Sequence, residues 1–394
     1  MFGINSEDIT KITSGKKFIT EHLDSDPSAL ALKGAEACLC TQIKMLQKCK
    51  SKLPHYYNAV CIIPPLSYEQ SSSYQTAYAK EYSGRRLLDL TCGLGVDSER
   101  FSKNFDEVIA IERDPLLAEI AVRNFASLGA DNVHVINADC AVFLSEYDGE
   151  PFDIVYCDPA RRNENKRTFL LSDCSPDIIS LLDDIKRISQ RLVIKMSPLF
   201  DVEEALRLFP ECSVEVVSLN GECKEVLADI DFAKKKESSV ICTVVNTDGK
   251  YTKYVFPVNQ TEPVEKRDII DPQFLYIADV AFKKSKMPAR LMAGYFPEYD
   301  YEIHGTVVLG DILINDFPGR KYSIKERFDY KPKDIKKYLR ENEITSATVV
   351  KENFSMKPEE VRKSLGLKDG SGALIITADI DGKPTVFIAE EIAS

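Results

Sequence analysis

The sequence lacks the features of several protein classes. No apolar run approaches the roughly 20 residues that a membrane-spanning helix needs, and residues 1–8 lack the basic and apolar regions of a signal peptide. The eleven cysteines form no CxxC pair, and no Cys/His spacing suits zinc. The four histidines are scattered along the chain. These absences predict a cytoplasmic protein with free thiols, without a membrane partner and without a bound metal.

Positive charge is outweighed by negative charge over the whole chain, since the net charge is −11. Such a balance argues against binding of nucleic acid over the whole surface. The segment 320–368 is different, because it holds fourteen Lys and Arg against eight Asp and Glu. This local excess indicates either a solvated helix face or a surface that meets a polyanion. No pattern in the sequence determines the oligomeric state.

The length of 394 residues exceeds what one core usually holds and predicts two or three domains. We expect a helical N-terminal region at 1–80, a domain of alternating strands and helices at 81–250, and a smaller α+β domain at 265–394. The alternation predicts an α/β fold with a parallel, Rossmann-like sheet. The runs Val214–Leu219 and Val240–Val245 are expected to complete this sheet as an antiparallel pair.

A glycine turn follows the first predicted strand of this sheet. The segment Leu87-Leu88-Asp89-Leu90-Thr91-Cys92-Gly93-Leu94-Gly95-Val96-Asp97 combines a short apolar strand, a turn and a helix start. Glycines at positions 93 and 95 let the backbone approach a ligand closely and adopt positive φ. A glycine pair of this kind predicts a ligand site but does not identify the ligand.

Acidic residues at three strand ends narrow the choice of ligand. Asp89 ends the first strand and suits a cationic amine, whereas it would repel a pyrophosphate. Glu112 ends the second strand, where an acid binds ribose hydroxyls, and Asp139 follows the third, where it can accept the adenine amino group. A ligand with an amino acid, a ribose and an adenine but no phosphate is S-adenosylmethionine (SAM). A dehydrogenase would need the third glycine of GxGxxG, and the chain has Ser98 there.

The fourth predicted strand ends in Asp158-Pro159-Ala160-Arg161-Arg162. Together with the Asp-x-Thr-x-Gly-x-Gly turn, this segment makes residues 65–245 resemble the class I SAM-dependent methyltransferases. Within them the turn is similar to that of trimethylguanosine-synthase-like enzymes and of bacterial guanine-N2 RNA methyltransferases. Residues 270–394, with Arg320 and the segment 352–357 before a basic helix, resemble the C-terminal THUMP-like region of a group of bacterial methyltransferases. THUMP domains bind RNA, so the resemblance implies an RNA substrate.

The resemblance also implies roles for individual residues. In amino-methylating relatives, an acid and the carbonyl after it accept hydrogen bonds from an exocyclic amino group, and an aromatic residue stacks on the base. Asp158 and Pro159 match the first two positions, whereas Ala160 and Arg161 depart from the last two. We expect Asp158, Pro159 and Arg161 to be catalytic, with the Arg161 guanidinium stacking on a base or holding a phosphate. The residues expected to bind SAM are Asp89, Thr91, Gly93, Gly95, Glu112 and Asp139.

Substrate contacts are expected at Arg162, Lys195, Lys336 and Arg340. The function expected from these features is methylation of an exocyclic amino group of an RNA base, either guanine N2 or adenine N6. Two alternatives stay open: a small-molecule or protein methyltransferase, and a SAM-fold assembly factor without catalysis.

Residues 69–76 are interpreted as a Ser-capped helix start or as polar groups near the cofactor. Residues 222–225 are interpreted as an exposed charged turn or a substrate-facing connection.

Overall fold

The chain folds into two units, Met1–Pro257 and Val258–Ser394. The computed structural model describes residues 4–161, 171–233, 237–259, 269 and 271–393. Within these ranges, no helix is both long and apolar enough to cross a membrane.

Seven helices form the N-terminal region of the first unit, and they precede its first strand. They are α1 (Ser6–Ser14), α2 (Lys16–Glu21), α3 (Pro27–Leu32), α4 (Ala37–Lys52), α5 (Pro54–Asn58), α6 (Pro65–Gln70) and α7 (Tyr74–Tyr78).

Strands and helices then alternate, as the sequence predicts. The elements are β1 (Gly84–Asp89), α8 (Val96–Ser102), β2 (Phe105–Glu112), α9 (Pro115–Leu128), β3 (Val133–Asn137), α10 (Cys140–Glu146), β4 (Ile154–Cys157), β5 (Ala160–Arg161), β6 (Cys174–Ser175), α11 (Leu182–Ile188), β7 (Arg191–Met196), α12 (Val202–Leu208), β8 (Ser213–Leu219), β9 (Glu222–Asp231), β10 (Ser239–Val245) and β11 (Tyr251–Pro257).

One large sheet organises this unit, in the order β11-β10-β8-β9-β7-β4-β1-β2-β3. The strands β3, β2, β1, β4 and β7 are parallel neighbours. Their carboxyl ends therefore meet at one edge, which is where open α/β sheets bind ligands. The expected α/β fold class with a Rossmann-like parallel sheet is confirmed.

The far side of the sheet differs from the prediction. β8 and β10 run parallel to each other rather than antiparallel. The antiparallel strand is β9, which lies between β7 and β8 and pairs with both. It follows β8 through a hairpin turn in which Asn220 and Gly221 both have positive φ, the conformation that Asn-Gly favours in two-residue hairpins. The sheet also extends past residue 250, because β11 pairs with β10.

Local sequence signals explain the helices next to the site. Asp114 caps α9 by accepting from the Leu116 and Leu117 amides, Pro115 occupies its first turn, and Gly129 ends it at φ +67°. Capping carboxylates, early proline and a final left-handed glycine are the standard boundary signals of helices.

The N-terminal helices share a core with the glycine turn. Leu94, Val96 and Ile120 are buried in one cluster with apolar residues of α1–α5. The buried Tyr56 hydroxyl donates to the Leu94 carbonyl oxygen at 3.1 Å. The N-terminal helices thus cover the apolar side of the glycine turn, and their removal would expose that side to solvent.

The second unit is a mixed sheet with four helices among its described residues. Its elements are β12 (Phe274–Ala278), α13 (Val280–Ser285), α14 (Pro288–Tyr295), β13 (Tyr301–His304), β14 (Val307–Gly310), β15 (Gly319–Asp329), α15 (Pro332–Glu341), β16 (Ser346–Glu352), α16 (Pro358–Leu365), β17 (Lys368–Ile380) and β18 (Lys383–Ile392). The sheet order is β13-β14-β12-β15-β18-β17-β16. Strands β17 and β18 form an antiparallel hairpin.

Candidate active site

The glycine turn follows β1 and is hydrogen-bonded to the end of β2. The Gly93 amide, at φ +56°, donates to Glu112 Oε2 at 2.9 Å. The other oxygen of Glu112 accepts from the Asp114 amide at 2.8 Å. The predicted ribose-binding acid therefore also holds the turn against the next helix start.

The two glycines serve different purposes. A Cβ on Gly93 would have only the Thr91 carbonyl oxygen within 4 Å among the described residues, at 3.9 Å, so this face of the turn is open. A Cβ on Gly95, at φ +85°, would lie 2.5 Å from Phe125 Cζ. Gly93 thus leaves space for a ligand, whereas Gly95 is needed for packing of the turn on α9.

Asp89 lies beneath the turn and is buried. One carboxylate oxygen accepts from the Thr91 amide at 2.9 Å and the other from the Ser98 hydroxyl at 2.5 Å. Burial raises the pKa of Asp89 to about 7, although these two hydrogen bonds act in the opposite direction. Ser98, which replaces the third glycine of the dinucleotide motif, is therefore a partner of Asp89.

Asp139 is exposed and caps α10. Its Oδ1 accepts from the Ala141 amide at 2.9 Å and from the Val142 amide at 3.4 Å. The preceding Asn137 pairs with Glu112 in the sheet. Glu112 and Asp139 therefore both lie at the carboxyl edge, as the parallel strand order requires.

The loop after β4 is tied directly to the glycine turn. The Asp158 amide donates to Thr91 Oγ1 at 2.7 Å. Asp158 Oδ2 accepts from Lys195 Nζ at 2.6 Å, and Lys195 lies near the end of β7. Pro159 follows Asp158 and is half-buried. The structure thus brings the turn with Thr91 and Gly93 together with Asp158 and Lys195, which lie far from that turn in the sequence.

A cluster of buried charges extends behind Lys195, and the sequence interpretation missed most of it. Asp97 Oδ2 accepts from the Ser72 and Tyr156 hydroxyls at 3.0 and 2.9 Å. Asp97 Oδ1 lies 3.1 Å from Lys80 Nζ, which also lies 2.7 Å from Glu225 Oε1 and donates to the Thr76 carbonyl oxygen at 3.5 Å. Ser72, Asp97 and Glu225 belong to segments that the sequence had marked, whereas no local pattern indicates that Lys80 and Glu225 are buried and paired.

Residues 222–225 show that a buried charged residue can resemble a surface residue in the sequence. They begin strand β9 rather than forming an exposed turn, and Glu225 is 2% exposed. In the run 69–76, the structure confirms the Ser-capped helix start, and the interpretation as polar groups near the cofactor stays a prediction. Ser73 caps α7 by accepting from the Thr76 amide, while Ser72 joins the charge cluster.

The charges of the cluster shift one another's pKa values. Burial by itself would raise the pKa of Asp97, but the Lys80 and Lys195 ammonium groups outweigh it and hold that pKa below its usual range. Burial would likewise lower the pKa of Lys195, yet the Asp158 and Asp97 carboxylates raise it. Burial raises the pKa of Glu225, against the pull of the two lysines. Asp97 and Lys195 are thus charged groups that stabilise each other in a poorly solvated site.

The thiols near the site are unsuited to nucleophilic attack. Cys92 and Cys157 are buried, and burial raises the pKa of each well above its ordinary value. A thiol is reactive as the thiolate. This placement argues against nucleophilic catalysis by either cysteine.

The remaining predicted residues are placed as follows. Arg161 lies in β5, which pairs with β6, and its side chain is outside the described residues, as is all of Arg162. Lys336 is half-buried and Arg340 exposed, both on α15 in the second unit. Among the described residues, no group of three or more His, Cys, Asp or Glu side chains could hold a metal ion.

Two family models match separate parts of the chain. Residues 56–173 match the family described as conserved hypothetical protein 95. Residues 319–391 match the THUMP domain-like family. The first match covers the glycine turn and the Asp158 loop, and the second covers β15 to β18.

Known relatives carry methyltransferase names. The chain is 30% identical over 154 residues to an uncharacterized SAM-dependent methyltransferase of Mycobacterium tuberculosis, which covers 37% of this chain and 39% of the relative. It is 29% identical over 96 residues to an uncharacterized RNA methyltransferase of Thermosynechococcus vestitus, which covers 24% of this chain and 21% of the relative. The chain thus spans about two fifths of the M. tuberculosis relative that it matches.

A solved structure matches along the whole length. It belongs to a protein of Porphyromonas gingivalis W83 that is provisionally described as a methyltransferase. The match covers 100% of both chains with a TM-score of 0.83 and 21% sequence identity. The chain therefore has the fold of that methyltransferase structure and is similar in sequence to SAM-dependent methyltransferases, with a THUMP-like segment at residues 319–391.

Proposed function

We propose that this chain is a SAM-dependent methyltransferase that modifies an exocyclic amino group of an RNA base. The observation that carries the proposal is the hydrogen bond from the Asp158 amide to Thr91 Oγ1, 2.7 Å long. This bond ties the Asp158 loop to the turn that would hold the methyl donor, and there the Asp158 carboxylate would serve as a hydrogen-bond acceptor for substrate. The methyltransferase names of the relatives and the P. gingivalis fold match support the same reaction class.

The residues at the sheet edge suit SAM. The open face of Gly93 gives the ligand access to the backbone, Glu112 can bind ribose hydroxyls, and the Asp139 carboxylate can accept from the adenine amino group. Asp89 would act indirectly, because its oxygens hold Thr91 and Ser98, and Gly95 would act through packing. When bound, SAM supplies an electrophilic methyl group on a sulfonium.

Asp158 and Pro159 would orient the nucleophile. The Asp158 carboxylate and the Pro159 carbonyl accept hydrogen bonds from the amino group, which leaves the nitrogen lone pair directed at the methyl carbon. Transfer would form a bond between this nitrogen and the methyl carbon as the carbon–sulfur bond of SAM breaks, and the proton lost from the nitrogen would pass to solvent. Asp158 Oδ2 already accepts from the Lys195 ammonium group at 2.6 Å, so the carboxylate would serve as a hydrogen-bond acceptor.

The RNA part of the proposal is supported by the second unit. Helix α15 carries Lys333, Lys337 and Arg340 on its exposed side, with Lys336 half-buried between them. The THUMP-like match covers this helix, and one relative is named an RNA methyltransferase. Arg161 and Arg162 would contribute base stacking or phosphate contacts beside the site.

The reaction class is tested first. Isothermal titration with SAM is followed by transfer of tritiated methyl groups to total RNA, DNA and protein from cells that lack the gene. We expect label in RNA, and mass spectrometry of its nucleosides then identifies the modified atom. Label in protein or in small molecules alone would support the alternative substrate classes. SAM binding without any transfer would support the non-catalytic assembly factor.

The roles of Asp158 and α15 are tested by substitution. Asp158→Ala is expected to keep SAM affinity and to lose transfer, and retained transfer would contradict its role. The double variant Lys336→Gln/Arg340→Gln is expected to weaken RNA binding and to reduce the slope of log Kd against log salt by about 1 for each phosphate that is no longer bound. The matched control is Lys17→Gln/Lys33→Gln, which removes two exposed charges from the first unit. An equal loss in both double variants would contradict a specific RNA surface on α15.

A further inference from the structure

Five buried or half-buried groups of alternating charge form a continuous chain behind the Asp158 loop. From Glu225 in β9 the chain passes to Lys80, then to Asp97 at the start of α8, then to Lys195 in β7, and ends at Asp158. The successive distances are 2.7, 3.1, 3.5 and 2.6 Å. Each cation lies between two carboxylates, so no charge in the chain is left without an opposite neighbour.

The chain lies inside the first unit, and the exposure of its side chains is greatest at its last member, Asp158. The side chains of Lys80 and Glu225 are 1% and 2% exposed, and that of Asp158 is 38% exposed. Buried ion pairs contribute little net stability, because desolvation of both partners offsets their attraction. A purely apolar contact would have served packing as well, which favours a role for these charges in positioning.

Lys195 is held by three separate segments. Its Nζ donates to Asp158 Oδ2 at 2.6 Å and to Ser72 Oγ at 3.0 Å, and it lies 3.5 Å from Asp97 Oδ2. An ammonium group has three donor hydrogens, and two of them are used in these hydrogen bonds, while the Asp97 carboxylate attracts the same charge. With two hydrogen bonds and a further ion pair inside the protein, Lys195 is a fixed point rather than a free substrate ligand.

We propose that Lys195 is a positioning residue that acts through Asp158 by holding its carboxylate, and with it the loop after β4, in the orientation that receives the substrate amino group. The inference rests on the proposed function, since it assigns a purpose to the Asp158 acceptor. It replaces the sequence-based expectation that Lys195 contacts substrate. Asp97, anchored by Lys80 and Tyr156, fixes Lys195 in turn.

A double-mutant cycle separates positioning from direct substrate contact. The variants are Lys195→Met, Asp158→Asn and their combination, each measured for SAM affinity and methyl-transfer rate. We expect Lys195→Met to keep SAM affinity within about threefold and to lower the transfer rate by at least tenfold. In the Asp158→Asn background the same change should lower the rate by less than threefold, because residues that act as one unit are non-additive. Full additivity, or a parallel loss of SAM affinity, would overturn the proposal.

A conservative variant and a matched control complete the cycle. Lys195→Arg keeps the charge and donors and is expected to recover most of the lost rate, whereas a merely structural defect would follow thermal stability instead. Lys253→Met removes a half-buried lysine that pairs with the buried Glu215 on the far strands of the same sheet. We expect this control to leave the transfer rate unchanged. An equal loss of rate in Lys253→Met would point to general destabilisation.

Hydrogen exchange gives a readout that does not depend on activity. The Asp158 amide is bonded to Thr91 Oγ1, so its exchange reports whether the loop keeps its position. We expect faster exchange at Asp158 in Lys195→Met, and wild-type exchange in Lys253→Met and Lys195→Arg. If the wild-type protein transfers no methyl group, the proposed function fails while this measurement still decides the positioning role. Unchanged exchange at Asp158 in a folded Lys195→Met variant would refute it.

Discussion

At the scale of single residues, the site depends on side chains that hold other groups rather than on side chains that point freely outward. Asp89, Glu112 and Asp158 each accept hydrogen bonds from the protein itself. The acids at the strand ends, from which the sequence predicts the ligand, therefore also hold the turn in place by hydrogen bonds. Two predictions concern such ties.

Asp89 makes stability depend on pH. Its folded-state pKa of about 7 lies above the ordinary value for a carboxyl group in an unfolded chain. The protonated form thus stabilises the fold at low pH, and this contribution is lost as pH rises from about 4 to about 7. Asp89→Asn stays neutral, so relative to wild type it should gain on the order of a few kcal/mol in unfolding free energy across that range. Urea unfolding at both ends of the range measures the gain, and an equal difference at both would contradict the prediction.

Thr91 links the turn to the loop that contains Asp158. Thr91→Val keeps the shape of the side chain and removes the acceptor of the Asp158 amide. Loss of a hydrogen bond that leaves a partner unsatisfied costs about 1–3 kcal/mol. We expect the transfer rate to fall by roughly tenfold while SAM affinity changes little. Thr91→Ser restores the hydroxyl and should restore the rate, and a normal rate in Thr91→Val would show that this bond is dispensable.

At the scale of elements, the turn between β1 and α8 must satisfy two separate structural requirements. It must leave one face open at Gly93 and pack closely against Phe125 at Gly95. Both demands arise because α9 packs beneath the turn while the ligand edge lies above it. Backbone conformation alone does not distinguish the two glycines, since both have positive φ.

Alanine substitutions should separate packing from conformation. Gly129→Ala is the control, because Gly129 has φ +67° and a Cβ there would meet nothing within 4 Å among the described residues. It should cost about 1–2 kcal/mol, the usual penalty for a left-handed alanine. Gly95→Ala adds a collision with Phe125 and should cost about 1–3 kcal/mol more. Gly93→Ala should resemble the control in stability and weaken SAM binding. Chemical denaturation and titration measure both effects, and equal stabilities of Gly95→Ala and Gly129→Ala would contradict the collision.

At the scale of the whole molecule, the N-terminal helices and the large sheet form one folding unit. The cluster that contains Leu94, Val96 and Ile120 draws most of its buried members from residues before β1. The second unit has its own buried clusters in and around its sheet. The division at residues 257 and 258 therefore separates two cores.

Truncation tests this division. A fragment of residues 258–394 should fold by itself and unfold cooperatively, because its apolar clusters are internal to it. Deletion of residues 1–64 should abolish cooperative unfolding of the remaining first unit, since it exposes the apolar side of the glycine turn. Circular dichroism during thermal unfolding measures both. A cooperative transition in a 65–257 fragment would show that the N-terminal helices are an accessory to the fold.

The sequence by itself determined the features that depend on neighbouring residues. The apolar strand before the glycine turn and the acids after successive strands are local patterns, and the first strand forms where its pattern predicts it. Parallel strand order then brings the acids to one edge. Much of the candidate site was therefore predictable before any coordinates.

Only the tertiary structure decided which distant residues meet. Lys195 and Ser72 are 123 residues apart in sequence and share a hydrogen bond, and Glu225 reaches Lys80 because β9 enters the sheet between β7 and β8. A charged residue carries no local mark of burial, since burial is a property of what packs around it. For this reason the sequence did not reveal that the charges behind Asp158 form ion pairs with one another. Long-range strand pairing encloses these charges, and enclosed charges need partners of opposite sign.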